Sequence, residues 1–165
     1  MAIEIERRFL LNDDSWKQYS YKKVLIEQGY LSNQLEDWIV RIRFNGKHFK
    51  LALKKHIKNF TSFEFEYIIP NKDGEKIMSN IANTIKKERF FLEYNHDLWI
   101  IDCFKEENFP LVIAEIELSE EKERLKMPSF IREEITGIKK FSNFSLATHP
   151  FSKWENNNLE ILKES

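Results

Sequence analysis

Charged residues of a single sign recur at even spacing in six short segments of this chain. Three segments are acidic and three are basic: Glu4 and Glu6, Glu64 and Glu66, Glu115 and Glu117, Arg41 and Arg43, Lys50 and Lys54, and Lys87 and Arg89. Even spacing places side chains on the same face of a β-strand. The pattern therefore predicts strands, and the matched signs suggest carboxylates that hold cations and basic groups that hold an anion.

Electrostatic repulsion within the acidic pairs depends on where the strands face. Carboxylates two residues apart lie about 7 Å from each other, and at an effective dielectric constant near 20 they repel by about 2.4 kcal/mol. Water removes most of this cost at an exposed surface, whereas an enclosed pair needs a bound cation or a basic neighbour. Two interpretations stay open from the residues alone: solvated faces of amphipathic strands, or an enclosed binding site.

Eight strands and four helices are predicted from hydrophobic periodicity. The strands cover residues 3–10, 24–31, 38–44, 48–54, 62–69, 87–93, 98–104 and 111–118, and the helices cover 14–19, 73–85, 128–135 and 155–163. Eight strands are enough to close a barrel. If the charged faces point inward, the apolar faces must be covered by helices on the outside. Asn45-Gly46 predicts a tight hairpin between two of the strands.

Composition restricts the classes of protein that fit. A chain of 165 residues with 42% hydrophobic residues is expected to form one ordered domain over residues 1–165. Its formal charge of −1 gives no general attraction to nucleic acids or anionic membranes. The single cysteine, Cys103, fits a reducing compartment, and the N-terminus lacks the apolar core of a signal peptide. We therefore expect a cytoplasmic protein that binds neither a membrane nor nucleic acid.

An ordered series of motifs resembles the CYTH, or triphosphate tunnel metalloenzyme, family, whose first strand reads Glu-x-Glu-x-Lys. The matching segments cover residues 1–154 in the order typical of the family: Glu4 to Arg8, Gln28 to Leu31, Arg41 to Arg43, Leu53 and Lys54, Glu64 to Tyr67 with Pro70, Lys87 to Arg89, Trp99 with Asp102, Ala114 to Leu118, Glu134 with Thr136 and Gly137, Asn143 with Leu146 and Ala147, and His149 and Pro150. Such a series is far more specific than any single pair of glutamates.

This resemblance implies an α+β, mainly β, fold: a closed, eight-stranded antiparallel β-barrel that forms a tunnel, with helices packed outside. By family position, the metal ligands for Mg²⁺ or Mn²⁺ are Glu4, Glu6, Glu64, Glu66, Asp102, Glu115 and Glu117. The groups implied to hold phosphates are Arg41, Arg43, Lys54, Lys87 and Arg89. Arg8 and Tyr30 are the implied catalytic residues. Carboxylate oxygens are ligands that Mg²⁺ and Mn²⁺ prefer.

The resemblance also implies an activity, namely metal-dependent hydrolysis of a linear triphosphate. Inorganic tripolyphosphate is the first choice of substrate, followed by nucleoside or thiamine triphosphate. The alternatives are a class IV adenylate cyclase and a non-catalytic polyphosphate- or nucleotide-binding protein. Arg8 replaces the usual lysine and cannot act as a general base. A homodimer is left open, with Trp154 as a candidate contact.

Overall fold

The computed structural model describes residues 2–32 and 38–155, which contain nine strands and two α-helices. The strands are β1 (Ile3–Leu11), β2 (Ser20–Tyr30), β3 (Ile39–Phe44), β4 (Phe49–Lys58), β5 (Thr61–Ile69), β6 (Thr84–Tyr94), β7 (Asp97–Phe104), β8 (Val112–Glu117) and β9 (Ile131–Glu134). The helices are α1 (Asn71–Met78) and α2 (Asn143–Thr148). Short 3₁₀ helices span Ser15–Tyr19, Glu106–Asn108, Lys139–Phe141 and Phe151–Lys153.

Eight of these strands form a closed antiparallel barrel, as the sequence predicts. They follow one another in the order β5-β4-β3-β2-β6-β7-β8-β1, and β1 pairs back onto β5 with Ile3 opposite Phe63. The β3–β4 hairpin turns at Gly46, whose φ of +86° favours glycine. Closure between β1 and β5 separates the alternating faces of the strands into an interior and an exterior.

Apolar residues occupy both the exterior of the wall and one end of the interior. On the exterior of β1, β7 and β8, Phe9, Ile101 and Ile116 pack with Trp16 and Phe130. At one end of the barrel the inward-facing rows end in apolar side chains, which pack with residues after β9. That second cluster consists of Leu10, Ile85, Phe104, Leu111, Ile113, Ile135, Phe141, Leu146 and Phe151. This apolar end, called the apolar floor below, lies beneath the charged part of the interior.

Helix α1 covers the outside of β3 and β4, and its close approach depends on a glycine. A Cβ atom on Gly74 would lie 2.1 Å from Cγ of Phe49, a distance that no side chain tolerates. The helix is shorter than predicted because residues 84 and 85 belong to β6. Ile85 is 2% exposed and pairs with Gln28 of β2, so extending the helix would remove it from the apolar floor.

The prediction of a helix over residues 128–135 is wrong, because this segment contains strand β9. Only the first half of β1 pairs with β5, which leaves backbone groups of its second half available on that edge. Strand β9 satisfies them by pairing Glu134 with Phe9 and Glu133 with Leu10. Helix α2 has no counterpart in the predicted helices. The helix predicted over residues 155–163 falls outside the described residues except for Glu155.

Two remaining expectations concern surfaces. Trp154 packs against Phe141 and Phe151, with the Lys140 ammonium over its ring, so it is committed to the chain's own core. The homodimer stays a prediction. Within residues 2–32 and 38–155, none of the helices combines the length and apolar character that crossing a membrane requires.

Candidate functional site: a charged bore inside the barrel

Two adjoining cavities, together called the bore, lie inside the barrel above the apolar floor. Their volumes are about 550 and 400 Å³, and both are lined by Glu4, Glu6, Arg41, Lys54 and Asn143. The larger cavity reaches Arg8, Tyr30 and the β4–β5 turn. The smaller one reaches the other predicted ligands that line the bore, which are Arg43, Glu64, Glu66, Arg89, Glu115 and Glu117. The charged faces of six strands thus meet around one space inside the barrel.

Strands β1 and β8 form an acidic wall whose pairing register separates two kinds of carboxylate. Arg8 lies opposite Glu115, and Glu6 lies opposite Glu117. Arg8 Nε donates to Glu115 at 3.2 Å, and Arg89 Nη2 donates to the same carboxylate at 3.1 Å. Glu6 has a weaker partner, since Arg8 Nε is 3.8 Å away. Glu115 is therefore neutralised by two guanidinium groups, whereas Glu6 and Glu117 face each other as an acidic pair.

Strands β3, β4 and β5 form the opposite, mixed wall. Arg41 Nη2 donates to Glu64 at 2.7 Å and to Glu66 at 3.1 Å. Lys50 Nζ donates to Glu66 at 2.7 Å, and Lys54 Nζ donates to Glu4 across the β5–β1 closure. Arg41 and Lys54 are therefore each paired with a carboxylate that could hold a metal, whereas Arg43 lies 3.9 Å from its carboxylate neighbour, Glu66.

Two carboxylates of the bore are hard to ionise because they are buried close to other carboxylates. Burial, followed by the nearby charge of Glu6, raises the pKa of Glu4 to about 8. Burial, followed by Glu115, raises the pKa of Glu6. Burial also acts against ionisation of Glu64, but its hydrogen bond with Glu4 and the charge of Arg41 lower its pKa. A cation would relieve this crowding of carboxylates.

Lys87 and Asp102 are placed differently from the other predicted ligands. Both are 0% exposed, and neither borders the two cavities found among residues 2–32 and 38–155. Lys87 Nζ donates to Asp102 at 2.6 Å, and Arg89 donates to both oxygens of the same carboxylate at 2.8 Å. Burial lowers the pKa of Lys87 to about 8. These positions make the pair a support behind Arg89, and direct contacts of either residue with substrate or metal stay predictions.

Arg8 and Tyr30, the predicted catalytic residues, both line the larger cavity. Arg8 Nη1 donates to the carbonyl of Phe141 at 2.7 Å. Its Nη2 and Nε of Arg41 are buried and have no hydrogen-bond partner in the described part of the chain. The Tyr30 hydroxyl accepts from Gln28 at 2.7 Å, and burial raises its pKa. Unpaired donors on two guanidinium groups are suited to receive phosphate oxygens.

Whether the bore fits a divalent cation depends on which ligand atoms its side chains offer. Within residues 2–32 and 38–155, no group of three acidic, histidine or cysteine side chains is already gathered around one point. The reason is visible in the ion pairs, because Glu4, Glu64, Glu66 and Glu115 are each held by a lysine or arginine. The available donors are carboxylate oxygens, which fit a hard cation such as Mg²⁺ or Mn²⁺.

Several lining residues were not predicted as site residues. Asn143 belongs to the family-like series but was given no role. Gln28 borders neither cavity of the described structure, yet it links Tyr30 to Arg43 through its amide, whose oxygen accepts from Arg43 Nε at 3.2 Å. His56 near the end of β4 and Asn59 and Phe60 of the β4–β5 turn also line the larger cavity. The sequence signal for these residues is weak because asparagine and histidine are ordinary turn and surface residues.

Comparisons with known proteins identify related sequences and folds. No family model matches the chain. An inorganic triphosphatase from Acetivibrio thermocellus is 34% identical over 158 residues, which cover 94% of this chain and 99% of that protein. The crystal structure of the inorganic triphosphatase NE1496 superimposes with a TM-score of 0.64 at 26% identity, covering 89% of this chain and 95% of that one.

A more distant structure shares only the fold. HpAC1 from Hippeastrum, described as an adenylyl cyclase with a dominant triphosphatase activity, has a TM-score of 0.55 at 15% identity and covers 73% of this chain and 80% of its own. The 34% identity to the Acetivibrio enzyme extends over nearly the full length of both chains. This chain therefore belongs to the inorganic triphosphatase family of phosphoanhydride-hydrolysing enzymes.

Proposed function

We propose that this chain is a CYTH-type triphosphate tunnel enzyme that hydrolyses inorganic tripolyphosphate with Mg²⁺ or Mn²⁺. The observation that carries the proposal is the bore itself: two joined cavities in which an acidic wall on β1 and β8 faces the guanidinium and ammonium groups of β3 and β4. A linear triphosphate carries several negative charges and no large organic group. A space inside the barrel that is lined by both acidic and basic groups suits such a ligand together with a cation.

Phosphate binding is assigned to the basic groups that border the bore, Arg41, Arg43, Lys54 and Arg89. Arginines offer bidentate contacts to phosphate oxygens, and Lys54 offers a point charge. Burial disfavours the charge on Lys54, but Glu6 and Glu4 raise its pKa, so the group stays protonated. These side chains position the triphosphate and offset the charge that spreads over the transferred phosphoryl group.

Metal binding is assigned to the carboxylates that border the bore, with Glu6 and Glu117 the least neutralised of them. Glu4, Glu64, Glu66 and Glu115 become available when an anionic substrate takes over their basic partners. A bound divalent cation supplies charge neutralisation at phosphate oxygens and acidifies a water molecule. Under this assignment the acidic and basic residues exchange partners when substrate and metal bind together.

Arg8 is assigned an electrostatic role. A guanidinium cannot act as a general base, so Arg8 acts by holding Glu115 from its place in the lining of the larger cavity. Its anchor on the carbonyl of Phe141 fixes that orientation. Tyr30 is assigned to the same part of the substrate site. Its hydroxyl stays protonated because burial raises its pKa.

One assay separates this proposal from its alternatives. Purified protein is incubated with Mg²⁺ or Mn²⁺ and with tripolyphosphate or ATP, and both phosphate release and cyclic AMP are measured. The proposal predicts phosphate release from tripolyphosphate. Formation of cyclic AMP from ATP would instead identify a class IV adenylate cyclase, and tight binding without either product would identify a non-catalytic binding protein.

A further inference from the structure

Asn143 stands where the two cavities of the bore meet, since it lines both of them. It is the first residue of α2, and its backbone is well fixed: the hydroxyl of Ser142 accepts from the backbone N–H of Ser145 at 3.1 Å and caps the helix. Just upstream, the carbonyl of Phe141 is held by Arg8 at 2.7 Å. The Asn143 side chain is therefore presented to the bore from a rigid segment.

The orientation of the Asn143 amide follows from its partner. Lys87 Nζ lies 2.9 Å from the amide oxygen Oδ1. A lysine ammonium can only donate hydrogen bonds, so the amide atom facing it must be the oxygen. Asp102 holds Lys87 from the other side at 2.6 Å, which prevents the ammonium from turning away. The amide nitrogen Nδ2, which carries two donor hydrogens, is left as the polar atom directed away from Lys87.

We propose that Nδ2 of Asn143 donates a hydrogen bond to a phosphate oxygen of the substrate, an inference that rests on the proposed function. Lys87 is 0% exposed and lies behind Asn143, so its charge reaches the bore through the amide. A cation bound to Oδ1 polarises the amide and strengthens donation from Nδ2. Asn143 thus adds a directional contact at the junction of the cavities without adding another formal charge.

A purely structural role for Asn143 makes a different prediction. If its only task is to accept the hydrogen bond of Lys87, replacing it by aspartate preserves that task and strengthens it by pairing two charges. If Nδ2 contacts phosphate, Asn143→Asp exchanges the donor for a negatively charged oxygen beside the substrate. The added charge repels an anion in the bore in either case, so the readout that separates the two roles is the response of the Asn143 amide itself to tripolyphosphate. The retained acceptor for Lys87 favours a folded variant.

The experiment compares Asn143→Asp with Asn80→Asp, which makes the same change of charge at an exposed asparagine outside the bore. We expect the KM for tripolyphosphate, and the Kd for tripolyphosphate in EDTA, to rise roughly 10- to 100-fold in N143D, the range for losing a hydrogen bond to a charged group. Both constants should be unchanged in N80D. The side-chain amide signals of Asn143, assigned by their loss in N143D, should shift when tripolyphosphate is added to the wild-type protein.

Two results would overturn the inference, and they differ in what else they overturn. If wild type binds and hydrolyses tripolyphosphate while N143D matches it in KM and Kd and the amide signals stay fixed, only the role of Asn143 fails. If wild type neither binds nor hydrolyses tripolyphosphate, the proposed function fails together with it.

Discussion

Two ion-pair networks inside this barrel use the same residue types and differ in what they face. In the inner network, Lys87, Asp102 and Arg89 satisfy one another within hydrogen-bond distance, and Asp102 is 0% exposed. In the bore network, Arg41 retains an unpaired buried N–H among the described residues, and the pKa of Glu4 is raised to about 8. The groups of the inner network satisfy one another, as expected of a structural support. The bore network has unsatisfied groups that a bound cation and a bound anion would satisfy.

Removal of divalent metal should distinguish the two networks most clearly, because only the bore network is proposed to bind a cation. We expect EDTA to abolish phosphate release from tripolyphosphate while leaving the fold intact, because the carboxylates of the bore already have lysine and arginine partners. Phosphate release and the thermal unfolding midpoint, each measured with and without EDTA, check this. A protein that unfolds in EDTA would show that the cation is structural, and undiminished phosphate release would refute a metal-dependent reaction.

Neutralising one carboxylate of the bore should also have a large effect on turnover. Glu115→Gln keeps the side-chain size but removes the charge that holds Arg8 and Arg89. We expect kcat for tripolyphosphate to fall roughly 100- to 1,000-fold, as when one electrostatic contact of a catalytic site is lost. Glu120→Gln, at an exposed position just after β8, is the control. Full activity of E115Q would refute the assigned role of Glu115.

A substitution in the inner network should lower the free energy of unfolding. Lys87→Met fills a similar volume but leaves Asp102 with Arg89 as its one remaining charged partner in the described structure. Breaking a buried pair from one side costs about 3 kcal/mol of unfolding free energy. Denaturant unfolding of K87M and of Lys54→Met, whose side chain is 30% exposed, measures the contrast. Equal losses in the two variants would remove the distinction between support and bore.

A substitution of Arg8 that keeps its positive charge should have the smallest effect of these changes. We expect Arg8→Lys to retain kcat within about tenfold, since a lysine can still neutralise Glu115, and Arg8→Met to lose roughly 100-fold. Steady-state kinetics of both variants at saturating metal provide the measurement. Equal losses in R8K and R8M would show that the guanidinium geometry, and not its charge, carries the role.

Much of the barrel could be predicted from the sequence because alternation decides which face of a strand is polar. Glu4, Glu6 and Arg8 follow a period of two, and they lie on the inward face of β1 as that period predicts. Strand β9 and helix α2 were missed because four and six residues are too short to show periodicity. The long-range pairing of β9 with β1 depends on closure of the barrel, which no local pattern contains.

Depth within the bore could not be predicted in the same way. Lys87 and Arg89 are two residues apart on the same face of β6, yet Lys87 lies outside both cavities while Arg89 borders one, among the described residues. Strand periodicity assigns the face of a residue but not its height above the apolar floor, which depends on how far neighbouring strands are staggered. Asn143 was given no role because its contact with Lys87 joins residues 56 positions apart.

Equilibrium binding of tripolyphosphate in EDTA tests the central claim most directly, because it asks whether the basic groups of the bore hold the anion. We expect a 1:1 complex with wild type, roughly 10- to 100-fold weaker binding by Arg41→Gln, and unchanged binding by Lys72→Gln, at an exposed position of α1. Equal affinities of wild type, R41Q and K72Q would contradict it, because the anion would then bind somewhere other than the bore.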